Sequence, residues 1–176
     1  MSRVLSDLCY TEGGRYRFVL TANLRVNLKL GLRGFHVLQD RGTTRATLDD
    51  DTLEIRKGYA FDGCSPAYRV FGKWVGVPTP DSAVAASAVH DCLRGFLHLP
   101  CLRYSLEDTD AVFKAVLEEE GFDHSELYHA AVAGPLGRAY HRLTSAKQSD
   151  AKCRHHLPLA PVGCLWSCKL SKLAIA

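Results

Sequence analysis

Between residues 15 and 30 the apolar positions alternate strictly: Tyr16, Phe18, Leu20, Ala22, Leu24, Val26, Leu28 and Leu30 fall on one parity, with mostly polar residues on the other. A period of two marks a strand with one face in a core. Sixteen residues exceed the usual strand length, so the pattern predicts a bend or tight turn near Ala22-Asn23 followed by a second strand. Gly31 and Gly34 punctuate its end. Further short strands are expected at residues 35–38, 43–48 and 52–56, separated by Arg41-Gly42 and by the acidic turn Asp49-Asp50-Asp51. The first third thus reads as a small, mostly antiparallel sheet over residues 15–56.

Beyond Tyr59 the pattern changes, first to Gly, Cys, Ser and Pro and then to helical periods. Residues 82–97 are rich in Ala and Val and predict a helix with Asp81 or Ser82 as its N-cap. A second helix over residues 106–120 is entered through Ser105-Leu106-Glu107-Asp108, a capping-box pattern, and ends at Gly121. A third, over residues 125–143, must kink or split at Gly134-Pro135. Residues 145–176 hold two prolines, short apolar runs and three cysteines, without a period. The expected fold class is α+β, with the sheet packed on two or three helices in one domain of residues 1–144. A Cys/His-containing tail of residues 145–176 follows.

Composition narrows the classes. The 176 residues are 47% hydrophobic and 23% charged, the balance of a folding globular chain. A formal charge of +3, spread along the sequence, is too mild to argue by itself for a nucleic-acid partner and leaves the partner undecided. No stretch is apolar enough for a transmembrane segment, and Asp7 interrupts the start before an apolar signal-peptide core forms. The expected compartment is the producing cell's cytoplasm. Seven cysteines (Cys9, Cys64, Cys92, Cys101, Cys153, Cys164, Cys168) are an odd number without an export signal, which favours thiols over a disulfide framework. A particle assembled in the cytosol and later released would let them pair afterwards.

Candidate chemistry gathers around the helices. Asp62-Gly63 sets a carboxylate beside a glycine in an irregular segment, which suits calcium or, equally, an Asx-turn. His90 and Asp91 are adjacent on a helix, so their side chains diverge by about 100° and serve different partners. His90 shares a row with Ala83, Ala86, Ser87 and Arg94, whose small members let another helix approach. There it is either a satisfied structural group or a functional one. Asp110 lies on the flank of the second helix, whose Val112, Phe113, Val116 and Leu117 face a core; a half-buried acid needs a partner. If the two helices are neighbours, Asp110 orients His90 as a general base. Cys64, Ser65 and Cys92 flank this site, and a Cys64-His90 thiol nucleophile is a further option.

In the tail, Cys153, His155, Cys164 and Cys168, with His156 beside them, place enough ligands within 16 residues to close a tetrahedral zinc site. The alternatives are plain thiols and an apolar run, residues 163–170, that docks on the domain or on a neighbouring subunit.

Asp62-Gly63-Cys64-Ser65, then His90-Asp91, then Asp110 with Phe113 three residues on, resembles the calcium-dependent phospholipase A2 family, in particular its compact bacterial and fungal secreted branch. The resemblance implies calcium at Asp62, the backbone of Gly63 and Asp91, a general base at His90 and an orienting acid at Asp110. Three departures stand out: Ser87 occupies the place of the cysteine that pairs with the one at position 64, Arg94 replaces a tyrosine, and the sheet of residues 15–56 is extra. With Gly58-Tyr59 added, the same residues also resemble an uncharacterised phage and prophage family marked by G-[FY]-x-x-D-G-x-S-x-P, a later H-D and D-x-x-F. This second resemblance covers roughly residues 20–137, and Pro66 comes one place early for it. Together they imply a phage virion-associated structural protein (a tail, baseplate or head accessory subunit) with a phospholipase-like His-Asp site and other virion subunits as partners. One alternative is an active calcium-dependent hydrolase acting on a lipid or ester of the host envelope. Another is an intracellular effector that binds a host protein.

Overall fold

The alternating stripe buries one face, as Phe18, Leu20, Leu24, Val26 and Leu28 are all in the core, but it serves two different sheets. In the computed structural model residues 2–12, 18–63, 68–70, 73–75, 79–99, 101–135, 137–139 and 151–155 are described, with 68–70, 73–75 and 151–155 as backbone. In chain order the strands are β1 (Arg3–Val4), β2 (Tyr10–Glu12), β3 (Phe18–Leu20), β4 (Leu24–Asn27), β5 (Phe35–Asp40), β6 (Thr43–Asp49), β7 (Thr52–Ile55), β8 (Ala60–Phe61), β9 (Tyr68–Val70) and β10 (Lys73–Val75). The helices α1 (Asp81–Phe96), α2 (Leu106–Glu119) and α3 (Ser125–Ala133) follow, and then strand β11 (Ala151–His155). The fold is α+β.

The main sheet runs β1-β4-β7-β6-β5-β11 and the second β2-β3-β8, while β9 and β10 form a separate hairpin; all pairings are antiparallel. Turning at Thr21-Ala22 sends β3 and β4 into different sheets, so the single stripe lines both. Arg41 and Gly42 both take positive φ, 49° and 79°, as a two-residue hairpin turn with the strand twist requires. The acidic turn is a loop organiser: the Asp51 carboxylate accepts the backbone N–H groups of Leu30, Gly31 and Leu32, and Asp50 accepts that of Gly34.

Strands also extend outside residues 15–56. β1, β2 and β8 are two or three residues long and offer no period to read. β11 belongs to the segment expected to be a tail, yet it adds an edge strand to the main sheet against β5.

Helix α1 starts at Asp81, but neither Asp81 nor Ser82 caps it. Pro80 stands at the N-cap without a side-chain bond. The Asp81 carboxylate instead accepts the Tyr10 hydroxyl at 2.7 Å, tying the second sheet to the helix. That bond, with burial, pushes the Tyr10 phenol up to about 12. The capping box of α2 is complete, with Asp108 N–H donating to Ser105 Oγ at 3.1 Å and Ser105 N–H to the Asp108 carboxylate at 2.8 Å. Ala133 ends α3 because Gly134 is extended, and helical backbone resumes at Pro135, so the expected helix is split there. One core joins the sheet stripe to the inner faces of α1 and α2. Among the described residues no helix is long and apolar enough to cross a membrane.

Candidate functional site

The Ala- and Val-rich face of α1 lets α2 approach closely, and their contact brings His90 against Asp110. The two residues are 4% and 2% exposed. His90 Nε2 lies 3.0 Å from Asp110 Oδ1, and Phe113, one turn along α2, tilts its ring against the imidazole at a centroid distance of 4.8 Å. A carboxylate only accepts, so Nε2 carries the proton and Nδ1 is left with its lone pair in the neutral ring. On the Nδ1 side, Asp91 Oδ1 stands 3.8 Å away, beyond hydrogen-bond reach, on a side chain 34% exposed.

Arg94 completes the cluster. Its Nη2 donates to the same Asp110 Oδ1 at 3.0 Å and to the Val132 carbonyl of α3 at 3.1 Å. Burial pushes the Asp110 carboxyl up, but the hydrogen bond from His90 and the Arg94 guanidinium outweigh it and hold the group below its ordinary value. Tyr104 anchors the arrangement from beneath, donating its hydroxyl to the Leu93 carbonyl at 2.7 Å. Among the described residues Asp110 Oδ2, Arg94 Nε and Ser87 Oγ are buried without a hydrogen-bond partner. The first two belong to the ion-paired side chains themselves.

Gly63 packs at the entry to α1. Gly63 has φ +89°, and a Cβ there would meet Thr79 Oγ1 at 2.5 Å, so this segment is anchored at the entry to α1. His90 lies nine residues beyond Asp81, about 13.5 Å of helix rise. Asp62 itself is exposed. Among the described residues no three or more His, Cys, Asp or Glu side chains gather as a metal site would. Cys92 is fully buried on the apolar face of α1, and burial first, then the nearby Asp91 charge, push its thiol far up; this is the setting of an inert core residue. Cys64, Ser65, Cys164 and Cys168 lie outside the described residues, as does His156.

Sequence reasoning therefore found His90, Asp110 and their contact but missed the role of Arg94. The signal was present: a cation one turn beyond His90 on the same face stands opposite an acid. Two surface hollows, of about 430 Å³ beside Pro135 and Arg138 and about 220 Å³ beside Arg3 and Glu119, border neither His90 nor Asp110. Searches of family models, curated proteins and solved structures found no match to this chain.

Proposed function

We propose that this chain is a phage virion-associated structural subunit in which a phospholipase-like His-Asp arrangement serves as a staple between helices. The motif resemblance supplies the phage assignment. The observation that carries the structural role is the sharing of one buried oxygen, Asp110 Oδ1, by His90 of α1 and by Arg94, whose guanidinium also holds the backbone of α3. A carboxylate already balanced by a guanidinium and enclosed by three helices is built for cohesion, since removing any member leaves a buried charge or polar group unpaired. The test is mass spectrometry of particles purified from the source phage or induced prophage, together with a His90→Ala protein. The expected result is the chain in the particles, and a variant that unfolds more easily while no esterase activity is lost. Its absence from purified particles would sink the virion role.

A second reading is favoured by the lone pair of His90 Nδ1 on the Asp91 side of the ring. In it His90 takes a proton from water that attacks an ester, Asp110 holds the ring in that tautomer and Arg94 fixes Asp110. The resemblance would put calcium at Asp62, Gly63 and Asp91, polarising the ester carbonyl. Hydrolysis of phospholipid vesicles that needs calcium and disappears in His90→Gln would establish this reading over the first.

A further inference from the structure

Helix α3 is the least enclosed of the three helices. Of its nine residues only Ser125 is buried, whereas α1 buries eleven of sixteen. Tyr128 and Val132 pack inward against the core, and the helix rests on α2. Leu127, Ala130 and Ala131 are all exposed, and their i, i+3, i+4 spacing gathers them into one apolar stripe. Leu127 is 67% exposed, more than any other large apolar side chain among the described residues. Such a side chain gains free energy by entering an apolar recess.

A recess of that kind lies at the other end of the same helix. The hollow of about 430 Å³ is lined by Ala133, Pro135, Ala139 and Arg138, where helical backbone runs on past Gly134. Leu127 and Pro135 are eight positions apart, roughly 12 Å of helix rise, so one copy of α3 cannot fill its own hollow. An antiparallel second copy, with the two-fold axis at Ala130-Ala131, brings each Leu127 to the other copy's hollow. The small residues at the crossing let the two backbones approach closely.

Charge favours the same arrangement. Asp123 and Glu126 are exposed at the start of α3, and the Glu126 side chain is 76% exposed while paired with Lys114. Arg138, 46% exposed, stands at the rim of the hollow, with its Nε donating to the Ala133 carbonyl at 2.9 Å and its Nη2 3.3 Å from Glu107. Antiparallel pairing sets the acidic end of each helix beside Arg138 of the other copy, whereas parallel pairing sets like charges together. The existing pairs with Lys114 and Glu107 are exposed and weak, and offer little resistance to sharing.

We propose that α3 is a self-association surface, an isologous contact in which Leu127 of each copy enters the Pro135 hollow of the other. So short a helix supplies less than the roughly 1,200 Å² of a stable dimer, which places the contact in the weak class, populated where copies are crowded. It stands apart from the His90 site and holds under either reading of that site.

The test is sedimentation equilibrium of the full chain in reductant, from about 10 μM to about 1 mM, the range of a weak contact. The apparent mass should climb with concentration from 19.4 kDa toward twice that value. Leu127→Glu should hold it at the monomer value with an unchanged melting temperature. The variant Arg138→Glu and the double variant Asp123→Lys, Glu126→Lys should each self-associate about tenfold more weakly. An equimolar mixture of these two should regain the wild-type strength, because both charge contacts are then complementary. The proposal is overturned by a wild-type chain that stays monomeric throughout, by association indifferent to Leu127→Glu, or by a mixture no stronger than its components. A Leu127→Glu protein that melts earlier in dilute solution would overturn it too, since the chain's own residues would then cover the stripe.

Discussion

Arg94 Nη2 lies 3.0 Å from the same Asp110 oxygen that receives His90, so the buried carboxylate has two partners from one helix. Its lowered pKa sets the sign of a pH effect. A carboxylate whose folded value lies below its unfolded one, near 3.8, contributes stability in full above that value and loses it as pH falls through the folded value. Asp110→Asn should therefore cost about 3–5 kcal/mol at neutral pH, because Arg94 becomes a buried cation without its counter-charge. In urea titrations at a series of pH values the gap to wild type should narrow only below about pH 3.8. A gap that stayed constant through the acid range would show that folding does not lower the Asp110 carboxyl, and a gap that narrowed as pH rose would show that the fold keeps it protonated.

The guanidinium, rather than positive charge alone, should matter at position 94. Arg94 spans from Asp110 to the Val132 carbonyl, a planar two-way reach that an ammonium does not reproduce. We expect Arg94→Leu to cost about 3 kcal/mol and Arg94→Lys to recover only part of that. In both variants amide exchange should accelerate in α3 before it does in the main sheet. Uniform acceleration throughout the protein would mean that Arg94 does not dock α3 specifically.

What the sequence disclosed follows the reach of each physical signal. Period-two alternation located β3 and β4, because a strand with one buried face must show it, turn residues marked off β5 to β7, and the Ser105/Asp108 box located the start of α2 because its bonds are local. Strands of two or three residues, such as β1 and β8, leave no period, and their pairing partners lie far along the chain. Asp81 had the residue type of a cap, but a long-range bond to Tyr10 claimed its carboxylate. His90 and Asp110 were legible as a pair because each was a polar group on an otherwise apolar helix face.

Cysteine chemistry should be graded by burial. Cys9 is exposed, whereas Cys92 is enclosed by the apolar face of α1 with its thiol held protonated. Under native conditions iodoacetamide should modify Cys9 rapidly and Cys92 only as fast as the protein unfolds. Peptide mapping over a time course gives the order, and early labelling of Cys92 would show that its thiol is not enclosed as the core packing requires.

Gly63 offers the sharpest test of how the candidate calcium segment is seated. Its φ of +89° is strained for any side chain, and an added Cβ would sit 2.5 Å from Thr79 Oγ1 and 2.9 Å from Phe18 Cε2. Phe18 is fully buried and stacked on Phe61, so the neighbour least able to move is the one in the way. Gly58 provides the control, with φ +85° but nothing within 4 Å of its added Cβ. Gly58→Ala should thus pay backbone strain alone, about 1 kcal/mol, whereas Gly63→Ala adds overpacking for a total of about 2–4 kcal/mol. Denaturant midpoints of the two variants decide the matter. Equal losses would mean that residues 62–63 stand off from Thr79 and Phe18, free to swing toward Asp91, and would strengthen the hydrolase reading over the structural one.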